Sequence, residues 1–171
     1  LHPEDLKKIH DVKMNGLTPD FTDEIRGHAF KVNMLDANPS PKVSGSGAAS
    51  NYHNYYLGND PTKWADNVQL FNKVTYKNIY HKTNLEIYSK DGDLKYDYIV
   101  RPGGNHHDIQ LQYEGVDKIE IKSGALHIET SVNKVIELAP YAYQIIDGRE
   151  VEVACNFALN GNVVSFDLPN G

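Results

Sequence analysis

Asp91-Gly92-Asp93-Leu94-Lys95-Tyr96-Asp97-Tyr98-Ile99-Val100 decides the fold. An Asp-Gly pair supplies the positive φ that a tight hairpin turn demands. After it, Leu94, Tyr96, Tyr98 and Val100 alternate with Lys95, Asp97 and Ile99, the period of a strand with one greasy and one wet face. The rhythm continues towards the C-terminus. Ile109, Leu111 and Tyr113 alternate with Gln110 and Gln112, Ile119 and Ile121 with Glu120 and Lys122, Leu126 and Ile128 with His127 and Glu129, and Val164, Phe166 and Leu168 with Ser165 and Asp167. Ser123-Gly124, Asp147-Gly148 and Asn160-Gly161 punctuate these runs as further hairpin turns. In the other direction, Phe30, Val32 and Met34 alternate with polar neighbours. No long helical pattern intervenes, so parallel βαβ architectures are disfavoured. The pattern predicts an all-β fold, an antiparallel β-sandwich or open barrel of meandering hairpins.

Two segments fall outside that rhythm. Residues 1–27 form a polar segment with a short helix: Pro3 suits the first helical position, Glu4 and Asp5 favour the positive end of the dipole, and Leu6, Ile9 and Lys13 share one face. Asn15-Gly16 ends that helix, and Thr18-Pro19-Asp20 reads as loop. Residues 28–171 read as a single β-rich domain. Within it, Asn38-Pro39-Ser40-Pro41 and the run Ser44-Gly45-Ser46-Gly47-Ala48-Ala49-Ser50 predict a flexible loop over about 38–51. Leu1 stands where an initiator Met is expected, which points to a piece of a larger protein with any targeting signal outside it.

The chain's 171 residues suffice for one buried core, and 40% hydrophobic against 23% charged residues is the balance of a folded protein, not a disordered one. No stretch approaches the roughly 20 apolar residues of a bilayer helix, so no membrane insertion is expected. With 17 Lys and Arg against 23 Asp and Glu the net charge is −6, and the longest basic cluster is Lys7-Lys8, which disfavours nucleic acid. Cys155 is the only cysteine, so neither an intrachain disulfide nor a four-cysteine zinc site exists. It sits on the apolar phase of its segment and reads as a buried, inert thiol.

Chemistry-bearing constellations are few. His106-His107-Asp108 invites a metal, but on an extended chain adjacent imidazoles point to opposite faces, so a loop tip with exposed histidines is expected. Asp91-Gly92-Asp93 lacks the further oxygen ligands of a calcium loop. Gly45-Ser46-Gly47 is neither a nucleophile elbow nor a phosphate loop. Glu120, Glu129 and Glu152 alternate with core positions, as solvated faces do. No catalytic residue, metal or cofactor is assigned.

The distinctive stretch is Asn54-Tyr55-Tyr56-Leu57-Gly58-Asn59-Asp60-Pro61-Thr62-Lys63-Trp64. Asp60 followed by Pro61 is a helix-start signal, predicting one capped helical turn near residues 60–65 with Trp64 facing back onto the sheet. Of the eleven tyrosines, Tyr76, Tyr96, Tyr98 and Tyr113 lie in strand phase, as core or sheet-face residues. Tyr52, Tyr55 and Tyr56 suit an exposed aromatic platform, where an apolar body with a polar tip stacks on sugar or peptide.

That stretch, with Val74-x-Tyr76-x-Asn78-Ile79-Tyr80, Gly92-x-Leu94-x-Tyr96-Asp97-Tyr98-Ile99-Val100-x-Pro102-Gly103, Ile109-x-Leu111-x-Tyr113-x-Gly115 and Pro140-x-Ala142-Tyr143-Gln144-x-x-x-Gly148, resembles the β-rich domain preceding β-propeller (SBBP) repeats in large secreted or cell-surface bacterial proteins of the Bacteroidetes gliding and sorting type. The likeness runs from about Gly27 to Gly171. It implies an extracellular, non-catalytic module, and further strands upstream of Leu1 whose loss exposes an edge. Where that family carries an acid, this chain has Asn84, and its Pro-Gly-Ala-Asp-Pro turn stands here as Pro102-Gly103-Gly104-Asn105-His106.

The expected function is a non-catalytic structural or adhesion-type module at the cell surface, with other domains of its parent protein and a surface glycan or protein as partners. The alternative is a carbohydrate-binding module that uses Trp64, Tyr52, Tyr55 and Tyr56 with Asn59 and Asp60. A weaker alternative is a hydrolase.

Overall fold

Every strand pairing among the described residues is antiparallel, and half of the consecutive strands join through short hairpins. The computed structural model describes residues 1–15 and 24–169. They group into two compact units, one of residues 36–108 and one of residues 1–35 with 109–171. The all-β reading holds, and among the described residues every sheet is open rather than closed into a barrel.

The unit of residues 36–108 is a single meander, β2 (Lys42–Tyr55), β3 (Ala65–Tyr80), β4 (Thr83–Lys90) and β5 (Asp93–Val100), in that spatial order. The quoted stretch folds as read: Lys90 faces Asp93 across a turn whose Asp91 and Gly92 both have positive φ. Register aligns Val74, Ile87 and Tyr96 in one row and Tyr76, Leu85 and Tyr98 in the next, all on one face. The alternate rows, on the other face, carry Thr75, Glu86 and Asp97, and Lys73, Tyr88 and Lys95. Lys73 pairs with Glu86 and lies over the Tyr88 ring. Leu94 departs from its expected inward place and is 75% exposed. Its partner Ser89 lies beyond the last β3–β4 pair, Lys73 with Tyr88, so no third strand backs it.

The predicted flexible loop is the larger correction: from Lys42 onward it is strand. Small residues carry no alternating rhythm, so composition alone reads as linker. What orders this strand is β3, whose Phe71 ring lies on the Gly45 backbone so closely that a Cβ there would overlap it. The aromatic ring thus supplies the cover that glycine lacks. Register shifts after Ala48 and after His53 bend the ribbon, and Gln69 Nε2 donates to the Ala49 carbonyl at the first.

The other unit opens with α1 (Pro3–Asn15), ending at the expected Asn15; the Thr18-Pro19-Asp20 loop lies outside the described residues. Leu6 and Ile9 are exposed, so an apolar face is not what anchors α1. Asp5, 2% exposed, accepts from the Arg26 backbone N–H at 2.9 Å and from its guanidinium at 3.1 Å. Those donors pull its carboxyl from 3.8 down to about 2. The unfolded chain therefore takes up this proton first on acidification, and the stability contribution, complete at neutral pH, is lost as pH falls from about 4 to about 2. Denaturant midpoints across that window should converge for the natural chain and Asp5→Asn.

Four strands, β1 (Lys31–Met34), β6 (Leu111–Glu114), β13 (Val163–Asp167) and β12 (Asn156–Asn160), form one sheet in that order. A second sheet is β7 (Lys118–Lys122), β8 (Ala125–Glu129) and β9 (Lys134–Glu137). The last is the two-stranded ribbon β10 (Ala142–Ile146) with β11 (Arg149–Val153). Ile109, Leu111 and Tyr113 are buried as their alternation predicts, as are Leu126, Ile128, Phe157 and Val164. Ser123-Gly124 and Asp147-Gly148 turn with positive φ at both residues. The β12–β13 turn shifts by one: Asn160 still pairs with Val163, and Gly161-Asn162 makes the reversal.

Candidate functional site

The β2–β3 hairpin carries the predicted residues at its far end. Beyond Lys73, β3 has no β4 partner, so the distal ribbon stands on two strands and residues 50–67 are all exposed. Asp60 caps a single 3-10 turn at Pro61–Lys63, its Oδ1 accepting from Thr62 N–H at 3.1 Å and Thr62 Oγ1 at 2.7 Å. The Thr62 donors hold its carboxyl below the usual range.

Trp64 ends that turn in extended backbone and, against expectation, does not face into the sheet: it is 42% exposed. One turn is too short to reach a buried surface. The indole N–H instead donates to the Gly58 carbonyl at 3.2 Å, and the Tyr56 ring meets the indole edge-on at 5.5 Å. Tyr56 donates its hydroxyl to Asp66, whose carboxylate raises the phenol above its ordinary value. On the strand below, Tyr55 lies opposite Ala65 and packs edge-on with His53 at 6.1 Å. Tyr52 pairs with Gln69 and is 56% exposed. Asn59 is exposed in the loop between. At the last register shift Asn67 has φ of 54°, and its N–H donates to Asn54 Oδ1 at 2.8 Å.

The hairpin thus gathers Tyr56, Trp64 and Asp60 into one fixed loop, with Tyr55 and Tyr52 following down the strand. The rings of Tyr56 and Trp64 cross at 78°, so these two do not make a flat row. Sequence reasoning missed Asp66 and Asn54 as the groups that fix the loop; both contacts span ten or more residues and have no local signal.

Elsewhere, His106–Asp108 is a 3-10 turn, not extended chain, so the two imidazoles lie 4.0 Å apart, centroid to centroid, with His106 half-buried. No cluster of three metal-ligating side chains occurs among the described residues. Cys155 is half-buried rather than buried, and desolvation raises its thiol. His28 accepts from Ser131 N–H at Nδ1, 3.2 Å, which leaves its other ring nitrogen to donate to the Gly115 carbonyl. Ser131 Oγ also lies 2.9 Å from Nδ1, so the ring is a clasp between loops far apart in sequence. An open depression of about 520 Å³ is lined by Asp36, Asn38, Asn78 and residues 79–82. Its Asn38 amide is spent on the Asn78 carbonyl and the Ser40 N–H.

No curated protein and no solved structure matches the chain. A family model does, over residues 2–171, nearly the whole length: the chain belongs to the family described as Domain of unknown function (DUF7948).

Proposed function

We propose that this chain is a non-catalytic interaction module of adhesion type that works outside a bacterial cell and presents the aromatic end of the β2–β3 hairpin to a partner. The observation that carries this reading is the exposure of Tyr52, Tyr55, Tyr56 and Trp64 along one hairpin. Exposed aromatics held by hydrogen bonds offer large contact area at low entropic cost. The two acids beside them are already engaged, Asp60 by Thr62 and Asp66 by Tyr56, which favours contact over acid–base chemistry. The extracellular assignment rests on the resemblance to domains preceding β-propeller repeats.

A second reading, carbohydrate binding, is favoured by Trp64 and Tyr56 together, since a sugar ring stacks on one aromatic face while polar loop groups reach its hydroxyls. Labelled chain applied to a glycan array and to intact bacterial cells tests both. Trp64→Ala, with far-UV circular dichroism unchanged, should weaken binding by about tenfold or more, the effect of losing a central aromatic anchor. Array signal lost in the variant selects the sugar reading, and cell binding without array signal selects a protein partner. Equal binding by the natural chain and the variant would sink the hairpin's role.

A further inference from the structure

We propose that one face of the β10–β11 ribbon docks an extended protein segment bearing arginine or lysine side chains among apolar ones. This surface lies in the other compact unit from the aromatic hairpin and goes beyond the function proposed above.

Register puts Tyr143 opposite Glu152 and Ile145 opposite Glu150, so these four side chains share a face, and Tyr141 extends it. The Tyr141 and Tyr143 rings lie 5.8 Å apart, and the Tyr141 hydroxyl donates to Glu150 at 2.8 Å. Tyr141, Tyr143 and Ile145 are all more than half exposed. Among the described residues the ribbon pairs with no further strand, and a two-stranded ribbon with apolar side chains in water is marginal without a cover.

Charge states what the cover is. In the β7–β8–β9 sheet, Glu120 holds Lys118 and Lys122, and Glu129 holds Lys134. Glu150 and Glu152 have no Lys or Arg partner among the described residues. The ribbon's own Arg149 pairs with Ile146 and lies on the opposite face. Two unneutralised carboxylates beside two tyrosine rings attract a cation by charge and by the ring faces together. Their spacing of two residues matches alternate side chains of an extended peptide. The same charge argues against a second copy of this chain, because a two-fold contact sets each face against its own acids. Glu150, and more weakly Glu152, also hold the Tyr141 phenol above its ordinary value, which registers the negative field at the rings.

The probe is a fluorescein-labelled peptide of alternating arginine and valine, titrated into the full chain and followed by anisotropy. Binding that weakens about tenfold in Glu150→Gln/Glu152→Gln, and in Tyr143→Ser, while Asp91→Asn/Asp93→Asn stays within about twofold, supports the proposal. The aspartate pair removes equal charge from a hairpin of the other unit. An equal loss there reduces the effect to attraction by net charge and overturns the proposal. So does equal binding of a peptide with glutamate in place of arginine. Self-association of the natural chain in sedimentation, abolished by the glutamine pair, would likewise assign the face to a second copy.

Discussion

Ile128→Ala is expected to lower the stability of its unit by about 2–5 kcal/mol, the cost of losing a large aliphatic side chain plus the cavity it leaves. Ile128 sits on β8, the middle strand of three, opposite Ile119 on one side and Val135 on the other, and has no exposed surface. Leu126, also fully buried, precedes it on the same face. The control is Ile136→Ala on the adjacent strand. Ile136 faces His127 and is 53% exposed, so truncating it should change stability by no more than about 0.5 kcal/mol. Urea unfolding followed by far-UV circular dichroism measures both. Trp64, the chain's single tryptophan, lies in the other unit and serves as a separate fluorescence reporter of that part. Similar costs for the two isoleucines would mean that the alternation on β8 does not mark a buried face.

That pair of residues shows what a sequence makes legible. Period-two alternation located β5, β6, β8 and β13 because each has one supported face, and Asp-Gly and Ser-Gly located their turns because few dipeptides accept positive φ twice in succession. Asp60-Pro61 located its turn for an equally local reason. The failures are all non-local. The Gly-Ser-Ala run of β2 has no side chains large enough to alternate, and the Phe71 ring that orders it comes from another strand. The anchor of α1 is Arg26, 21 residues from Asp5, and the His28 clasp reaches Ser131, 103 residues away. Trp64 was legible as a notable residue but not as an exposed one. Its direction depends on where a one-turn helix stops, and on a carbonyl at Gly58 that takes up the indole N–H. The candidate site was thus readable in residue type and unreadable in arrangement. The β10–β11 ribbon carried the rhythm of a strand and gave no hint that no further strand among the described residues pairs with it.

Asn84→Ala should cost the hairpin unit about 1–3 kcal/mol, the penalty for stranding a buried or half-buried donor. Asn84 is 6% exposed at the head of β4, where β3 and β4 slip register between Tyr76 and Tyr80. The slip throws Asn78 into left-handed backbone, φ 50°, and its N–H leaves the ladder. Asn84 Oδ1 accepts that N–H at 3.0 Å, while the Asn78 carbonyl takes the Asn38 amide at 3.2 Å. A side chain thus replaces the missing strand partner at both backbone groups of one residue, as an irregular ladder requires. Only the acceptor oxygen of residue 84 enters this account, and an aspartate at this position supplies the same acceptor. Asn84→Asp should therefore lose less than Asn84→Ala at neutral pH, a comparison that denaturant midpoints report directly. An alanine variant as stable as the natural chain would show that the Asn78 N–H finds another partner. An aspartate variant as damaged as alanine would show that charge, not the acceptor, is what this chain excludes at residue 84.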